Sequence, residues 1–219
     1  MKITFLSDAG SWKNAAIGGL AKRLRKKNHH VECLHKAESV PWGDILFILG
    51  FFKIVKPEIL KRNKTNIVVH ESALPRGRGW SPMSWLVLEG ASEIPLTLFE
   101  AVEKVDAGRI YLHAKVKLVG HELLPEIRQK VAAAMMRLCE KFVDSYPSIL
   151  ARGVEQRGKP SYYRRRTPYD SRLDPDQSIA AQFNLLRIAD NEGYPAFFEY
   201  RRATYLLKIE KRRDNKQRD

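Results

Sequence analysis

His70 closes the β-branched run Ile67–Val69 and stands where the Pro-, Gly- and Arg-rich stretch Glu71–Pro82 (ESALPRGRGWSP) begins. A histidine at the mouth of an apolar strand can accept a proton, or donate a hydrogen bond to an oxygen that gains charge. Asp106 lies in a second Gly-containing turn, Glu103–Gly108 (EKVDAG). An ionised aspartate beside a histidine favours the imidazolium form or fixes its tautomer. Taken alone, the pair suits several acid/base reactions, and a lone strand-end histidine is also a common satisfied polar residue. The surrounding elements must decide.

Three runs read as buried strands apolar on both faces: Lys2–Ser7, Asp44–Phe51 and Asn66–His70. A weaker, alternating strand is expected over His30–His35. Helix-like pieces lie between them, at Asn14–Lys27 and Pro57–Arg62. Strands alternating with helices predict an α/β fold with a mainly parallel sheet. Ligands of such sheets bind beyond the carboxyl ends of the strands, where the strand order reverses. His70 falls at such an end.

A short helix is expected from Ser81 or Pro82 to Glu89, with Pro82 near its first turn. Two strands, Glu93–Phe99 and Arg109–Leu118, flank the Asp106 turn. From Glu122 to Val143 the residues Leu124, Ile127, Val131, Met135, Leu138 and Phe142 recur at helical spacing. Pro147 closes that helix. Beyond it come a further helix at about Gln177–Ile188, with Asp176 or Ser178 as caps, and two strands joined at Arg201–Ala203.

The 219 residues bury one sizeable core, with room for an extension. No apolar run has membrane-spanning length. The start, MKITFLSDAGSW, makes a poor signal peptide, so a cytoplasmic protein is expected. Cys33 and Cys139 show neither metal nor disulfide spacing and read as buried thiols, so no metal is expected. The formal charge of +14 implies an anionic partner or substrate.

Three blocks in order resemble the folate-dependent formyltransferases. GFFKIVKPEIL (Gly50–Leu60) is similar to the folate-loop block, VVHESALPRGRG (Val68–Gly79) to the Asn-x-His-x-Ser-x-Leu-Pro block, and EKVDAGRI (Glu103–Ile110) to the Asp-loop. The resemblance implies a Rossmann-like formyltransferase core over residues 1–150. It implies N10-formyltetrahydrofolate as formyl donor and an amine as acceptor. His70 and Asp106 become the catalytic pair. Phe52, Lys53, Ile54 and Val55 on one side, and Glu103 and Val105 on the other, would bind the pterin. Glu71, Ser72, Arg76 and Trp80 would face the acceptor. One position departs from the family: Val68 stands where an asparagine usually supplies a second oxyanion donor. Glu71 and Ser72 are candidate substitutes, and Asn66 a poorer one.

Residues 151–210 then form a C-terminal extension with a small helix and a β-hairpin, which resembles that of the sugar N-formyltransferases. It would carry substrate and dimer contacts, ahead of a charged, disordered tail at 211–219. Arg164, Arg165 and Arg166, with Arg172 and Arg187, are candidates for a nucleotide diphosphate, because guanidinium groups pair bidentately with phosphate. Tyr162, Tyr163 or Trp80 could stack on a base or sugar. Phe183, Leu185, Leu186, Phe197 and Phe198 read as core or dimer contacts. The expected substrate is a nucleotide-linked amino sugar, with no membrane, no nucleic-acid partner and a possible homodimer. The alternatives are transfer to another amine, such as aminoacyl-tRNA, and a basic nucleic-acid-binding protein with a degenerate site.

Overall fold

The computed structural model describes residues 1–212. The β-branched and aromatic runs form β1 (Lys2–Leu6), β2 (His30–Leu34), β3 (Gly43–Ile48) and β4 (Asn63–His70), linked by α1 (Asn14–Lys26) and α2 (Pro57–Leu60). A two-residue strand, β5 (Arg78–Gly79), and α3 (Pro82–Leu88) lead to β6 (Glu93–Glu100) and β7 (Ile110–Lys117). The sheet has the order β2-β1-β3-β4-β6-β7. Strands β1 to β4 are parallel, as expected, and β6 runs antiparallel to both of its neighbours, β4 and β7. The reversal has a length argument. At 1.5 Å per residue, α3 is about 10 Å long, whereas β4 is about 26 Å long. The chain therefore re-enters the sheet from the end at which it left.

Helix α4 (Leu124–Asp144) buries Leu124, Ile127, Val131, Met135, Leu138 and Phe142, the residues its periodicity singled out. With α1 it covers one sheet face, against Ile3, Phe5, Ile45, Phe47, Ile67 and Val69. Phe5 stacks on Phe47 at 5.1 Å, and Phe142 meets Phe47 edge-on. Burial of each such side chain contributes about 1.5–3 kcal/mol. A smaller cluster of Leu6, Val40, Leu46 and Ile59 covers the other face. The register puts His70 at the carboxyl end of β4, between the parallel neighbour β3 and the antiparallel neighbour β6. Strand direction changes here, while the strand order itself reverses between β1 and β3.

The extension is stitched to the core. Its β8 (Tyr162–Tyr163) pairs with β5, and Val154 bridges Ile110 of β7. Arg187, on α5 (Phe183–Ile188), reaches into the core and binds Glu122 at 2.9 Å, with both side chains almost fully buried. Strands β9 (Ala196–Tyr200) and β10 (Ala203–Leu207) form the hairpin, turned by Arg201 and Arg202 at φ of 47° and 66°. Positive φ at both central residues matches the right-handed twist of the flanking strands. Phe183, Leu185 and Phe198 pack on a small core of Leu173, Leu186, Ala189 and Ala196, while Phe197 is half-buried against Tyr169.

Four expectations need correction. The helix at Gln177–Ile188 is only Phe183–Ile188. Before it, Gln182 bonds the main chain of Asp174 from both ends of its amide, and Ser178 accepts from Ala181, which holds the chain in turns. Cys33 is exposed, because β2 is the edge of the sheet. Strand β3 stops at Ile48, so Leu49–Phe51 leave the sheet and start the loop beside His70. Lys211 is not part of a loose tail, since its ammonium pairs with Glu126 at 2.6 Å. The tail beyond Arg212 lies outside the described residues. Among the described residues, no helix is long and apolar enough to cross a membrane.

Candidate active site

A cavity of about 680 Å³ opens at the carboxyl ends of the parallel strands. Its walls come from the β1–α1 loop, the loop after β3, the end of β4, residues 79–84, residues 99–106, α4 and the extension. A second cleft of about 670 Å³, beside Met1, Trp42 and Lys64, lies at the opposite strand ends. The first is the candidate site, because it holds both His70 and Asp106 and sits where parallel sheets place ligands.

His70 and Asp106 are brought together. His70 Nε2 is 3.0 Å from the Gly77 carbonyl oxygen and 3.9 Å from Asp106 Oδ2. A carbonyl only accepts, so Nε2 carries the proton in this arrangement. Both side chains are about nine-tenths buried. Asp106 has a φ of 54°, a left-handed conformation that aspartate tolerates better than most residues. Its Oδ2 accepts the Gly79 N–H at 3.0 Å, which fixes the carboxylate beside the imidazole. Gly79 must itself be glycine: at φ 93°, a Cβ there would sit 2.5 Å from the Tyr163 carbonyl oxygen.

Asp106→Asn separates charge from architecture. The amide oxygen still accepts from Gly79, so the loop keeps its shape while the imidazolium loses its counter-charge. The expected result is a fall in kcat of about 10²–10³ with an unchanged melting temperature. The pH–rate profile should shift with it. Wild-type turnover would show that the carboxylate takes no part.

The expected cofactor wall is assembled. Phe52, Lys53, Ile54 and Val55 line one side of the cavity, and Val102, Glu103 and Val105 the other. Phe52, Ile54, Val102 and Val105 are exposed apolar side chains. Phe52 stacks on Trp80 at 5.9 Å, and Arg165 lies over the other aromatic at 5.2 Å from the Trp80 ring.

The acceptor-side expectations divide. Glu71, Trp80, Arg165 and Arg166 line the cavity. Ser72 lies buried outside its lining, and Arg76 is exposed away from it. Arg164 is bound to Asp170 and lies over the Trp85 ring. Arg172 pairs with Glu199. Arg187 is committed to Glu122 and cannot hold a substrate phosphate. Tyr163 donates its hydroxyl hydrogen to Glu89 and stacks on Trp85, and Tyr162 is exposed outside the lining.

The residues suggested in place of the missing asparagine do not fill its role. Val68 lines the cavity and packs with Leu74, Phe99 and Ile110. Burial alone would raise the Glu71 carboxyl, but the Lys13 ammonium, 2.7 Å away, and His70 outweigh it and hold it below its ordinary value. Glu71 therefore stays ionised, able only to accept. Asn66 donates to the Leu60 carbonyl and is not in the cavity wall.

Sequence reasoning missed Trp12, Lys13, Arg128, Asp190 and Tyr194, which all line the cavity. Lys13 follows the carboxyl end of β1, so the strand-end rule could have found it. Arg128 falls on the polar stripe of α4, where nothing in the spacing separates a solvent face from a cavity wall. Among the described residues, no cluster of three or more His, Cys, Asp or Glu could hold a metal ion.

Residues 19–141, more than half of the chain, match the family model described as formyl transferase. The chain belongs to the formyl transferase family. The match covers the three blocks that carried the resemblance and all of the sheet from β3 to β7. The bifunctional polymyxin resistance protein ArnA of Wigglesworthia glossinidia brevipalpis is 30% identical over 162 residues, covering 72% of this chain and 24% of ArnA. The chain thus spans about a quarter of the length of that curated relative. Among solved structures, methionyl-tRNA formyltransferase from Clostridium thermocellum superposes with a TM-score of 0.78 at 20% identity, covering 99% of this chain and 95% of that one. A sugar N-formyltransferase from Shewanella sp FDAARGOS_354 has a TM-score of 0.68 at 14% identity, covering 95% and 97%. At these identities the structures speak for the fold. They extend it through the C-terminal extension, beyond the matched family segment.

Proposed function

We propose that this member of the family is an N-formyltransferase that moves a formyl group from N10-formyltetrahydrofolate to the amine of an amino sugar, which is nucleotide-linked. The observation that carries the reading is His70, coupled to Asp106, beside a cavity wall of exposed Phe52, Ile54, Val102 and Val105 side chains. Two facing apolar strips fit a flat heteroaromatic ring, and Glu103 and Lys53 lie at the same walls for its polar edge. The folate, when bound, supplies an activated formyl carbon.

The chain's own residues then have two tasks. An amine that attacks a carbonyl carbon must lose a proton, and the carbonyl oxygen gains negative charge. His70 Nε2–H can donate to that oxygen once it leaves the Gly77 carbonyl. Asp106 stabilises the imidazolium and accepts a hydrogen bond from the attacking amine, whose proton passes to the nitrogen that gives up the formyl group as that C–N bond breaks. The buried Lys13–Glu71 pair keeps a fixed ionic wall beside them.

Val68 leaves the oxyanion with one side-chain donor fewer than the family pattern provides. One such donor is typically worth about 10²–10³ in kcat. Val68→Asn should therefore raise kcat, measured by formyl transfer at saturating folate. A large loss with an intact fold would mean that another group already fills that space.

A second reading rests on a specific observation. The methionyl-tRNA formyltransferase from Clostridium thermocellum is covered over 95% of its length, so chain length does not separate sugar from aminoacyl-tRNA acceptors. The +14 charge also suits RNA. The deciding assay offers nucleotide-linked amino sugars and methionyl-tRNA side by side with N10-formyltetrahydrofolate. Turnover with an amino sugar and a weak salt dependence support the sugar reading. Turnover only on tRNA, with an acceptor KM that climbs steeply with salt, overturns it.

A further inference from the structure

Two cavity-lining guanidinium groups have no use in the chemistry described so far. Arg166 is half-buried, and its Nη2 donates only to neutral partners, the Asp170 carbonyl and Ser171 Oγ. Among the described residues no carboxylate lies within ion-pair distance of it. Its Nε is buried without a hydrogen-bond partner. Burial pulls this guanidinium below its usual range, although the nearby Asp170 charge opposes the shift. A desolvated cation without a close anion is costly to keep.

Arg128, on α4, repeats the pattern from the facing element. Its Nη2 pairs with Asp190 at 2.9 Å, its Nε is buried and unpartnered, and its guanidinium lies 5.8 Å from the Trp12 ring centre. The two arginines flank one short turn, because Asp190 and Tyr194 bond each other through both main-chain pairs and Ser171 Oγ reaches the Tyr194 carbonyl. Both arginines and Tyr194 belong to the cavity wall formed by α4 and the extension, distinct from the wall formed by residues 52–55 and 102–105. The buried charges elsewhere in the cavity are matched, Lys13 with Glu71 and Asp106 with His70, whereas Lys53, Glu103 and Arg165 line it as exposed side chains.

We infer that Arg166 and Arg128 form an oxyanion subsite at the Tyr194 turn, which holds a phosphate or carboxylate of the acceptor while its amine faces His70. The inference rests on the formyl-transfer reading for the identity of the bound molecule, but not for the anion site itself. Planar guanidinium groups with free N–H groups suit a tetrahedral or planar oxyanion through paired hydrogen bonds. Asp190 offsets one of the two charges, so one net positive charge remains for the ligand. The sequence had pointed to Arg166 within a run of three arginines. Arg128 and the turn that joins the two come only from the fold.

The test is calorimetric titration of the full chain with inorganic pyrophosphate and, separately, with glucuronate. In parallel, 5-formyltetrahydrofolate reports on the folate wall. The wild-type chain should bind one or both anions at one per chain. Arg128→Gln and Arg166→Gln should each weaken that binding about tenfold or more, with folate binding within about twofold of wild type. Pyrophosphate binding alone assigns the subsite to a phosphate, and glucuronate binding alone to a carboxylate. Absence of stoichiometric binding of either anion overturns the inference, as does wild-type affinity in both variants. If Arg166→Gln fails to fold, Arg128→Gln decides alone, and wild-type affinity there overturns the two-arginine site. Failure of wild-type folate binding would instead strike the formyl-transfer reading and leave the anion result to stand or fall by itself.

Discussion

His70→Ala should lower formyl transfer by at least about 10³ while the melting temperature stays close to that of the wild-type chain. His70 is buried at the carboxyl end of β4, its Nε2 faces both the Gly77 carbonyl and Asp106, and among the described residues no second imidazole lines the cavity wall. If His70 donates to the oxyanion as proposed, Val68 offers no second donor to share that charge, so the loss falls on His70 alone. The truncation leaves a small space and frees one carbonyl at the cavity edge, where water can reach it. The fold should therefore survive. Turnover within a few-fold of wild type, measured with N10-formyltetrahydrofolate and an accepted amine, would remove His70 from the mechanism. Asp106 would then need another partner.

Arg187→Met should cost about 3–5 kcal/mol of stability, read as a lower urea midpoint. Glu122 is almost fully buried and accepts from Arg187, Lys130 and the main-chain N–H groups of Val119 and Gly120. Burial alone would raise its carboxyl, but the Lys130 ammonium and the main-chain N–H groups of Val119, Glu122 and Gly120 outweigh it and hold it at about 2, against an ordinary 4.5. Removing Arg187 leaves a buried carboxylate short of its closest guanidinium and unpins α5 from the core. The pH dependence follows from the lowered value. The stabilisation is complete above about pH 4.5, where the unfolded chain has ionised, and is lost as pH falls towards 2 and the folded carboxyl takes up its proton. It amounts to about 3 kcal/mol for this one group. Arg187→Met should lower the plateau, while the acid limb, set by Lys130 and the main-chain donors, persists. A variant with the wild-type midpoint would mean that Lys130 and the two main-chain donors hold Glu122 unaided.

The legible part of the site was the part built from contiguous residues. Val68–Gly79 and Glu103–Gly108 each carry their own turn chemistry: Gly79 and Asp106 occupy positive φ, and Gly108 lies against the Glu100 carbonyl, where a side chain would clash. Such demands are written into residue type and local order, and so were visible before folding was considered. The loop Phe52–Val55 was legible for the same reason. Arg187 was misread because nothing local distinguishes an arginine destined for Glu122, 65 residues earlier in the chain, from one destined for phosphate. The helix at Gln177–Ile188 was overextended for a related reason: the Gln182 amide holds Asp174 and Gln177 in turns, an arrangement that helical spacing does not register.

By itself the sequence determined the α/β class, the parallel strands β1 to β4, the α4 core stripe, and the placing of His70 and Asp106 at strand and turn positions. These follow from hydrophobic period and turn chemistry, which act over a few residues. Only the tertiary structure decided that β6 runs antiparallel to β4 and that the two catalytic candidates lie 3.9 Å apart. Tertiary packing also set which of the many arginines face the cavity and which are spent on Asp170, Glu199 and Glu122. Those outcomes depend on which distant surfaces meet, because a guanidinium group takes whichever anion the packed fold brings within reach.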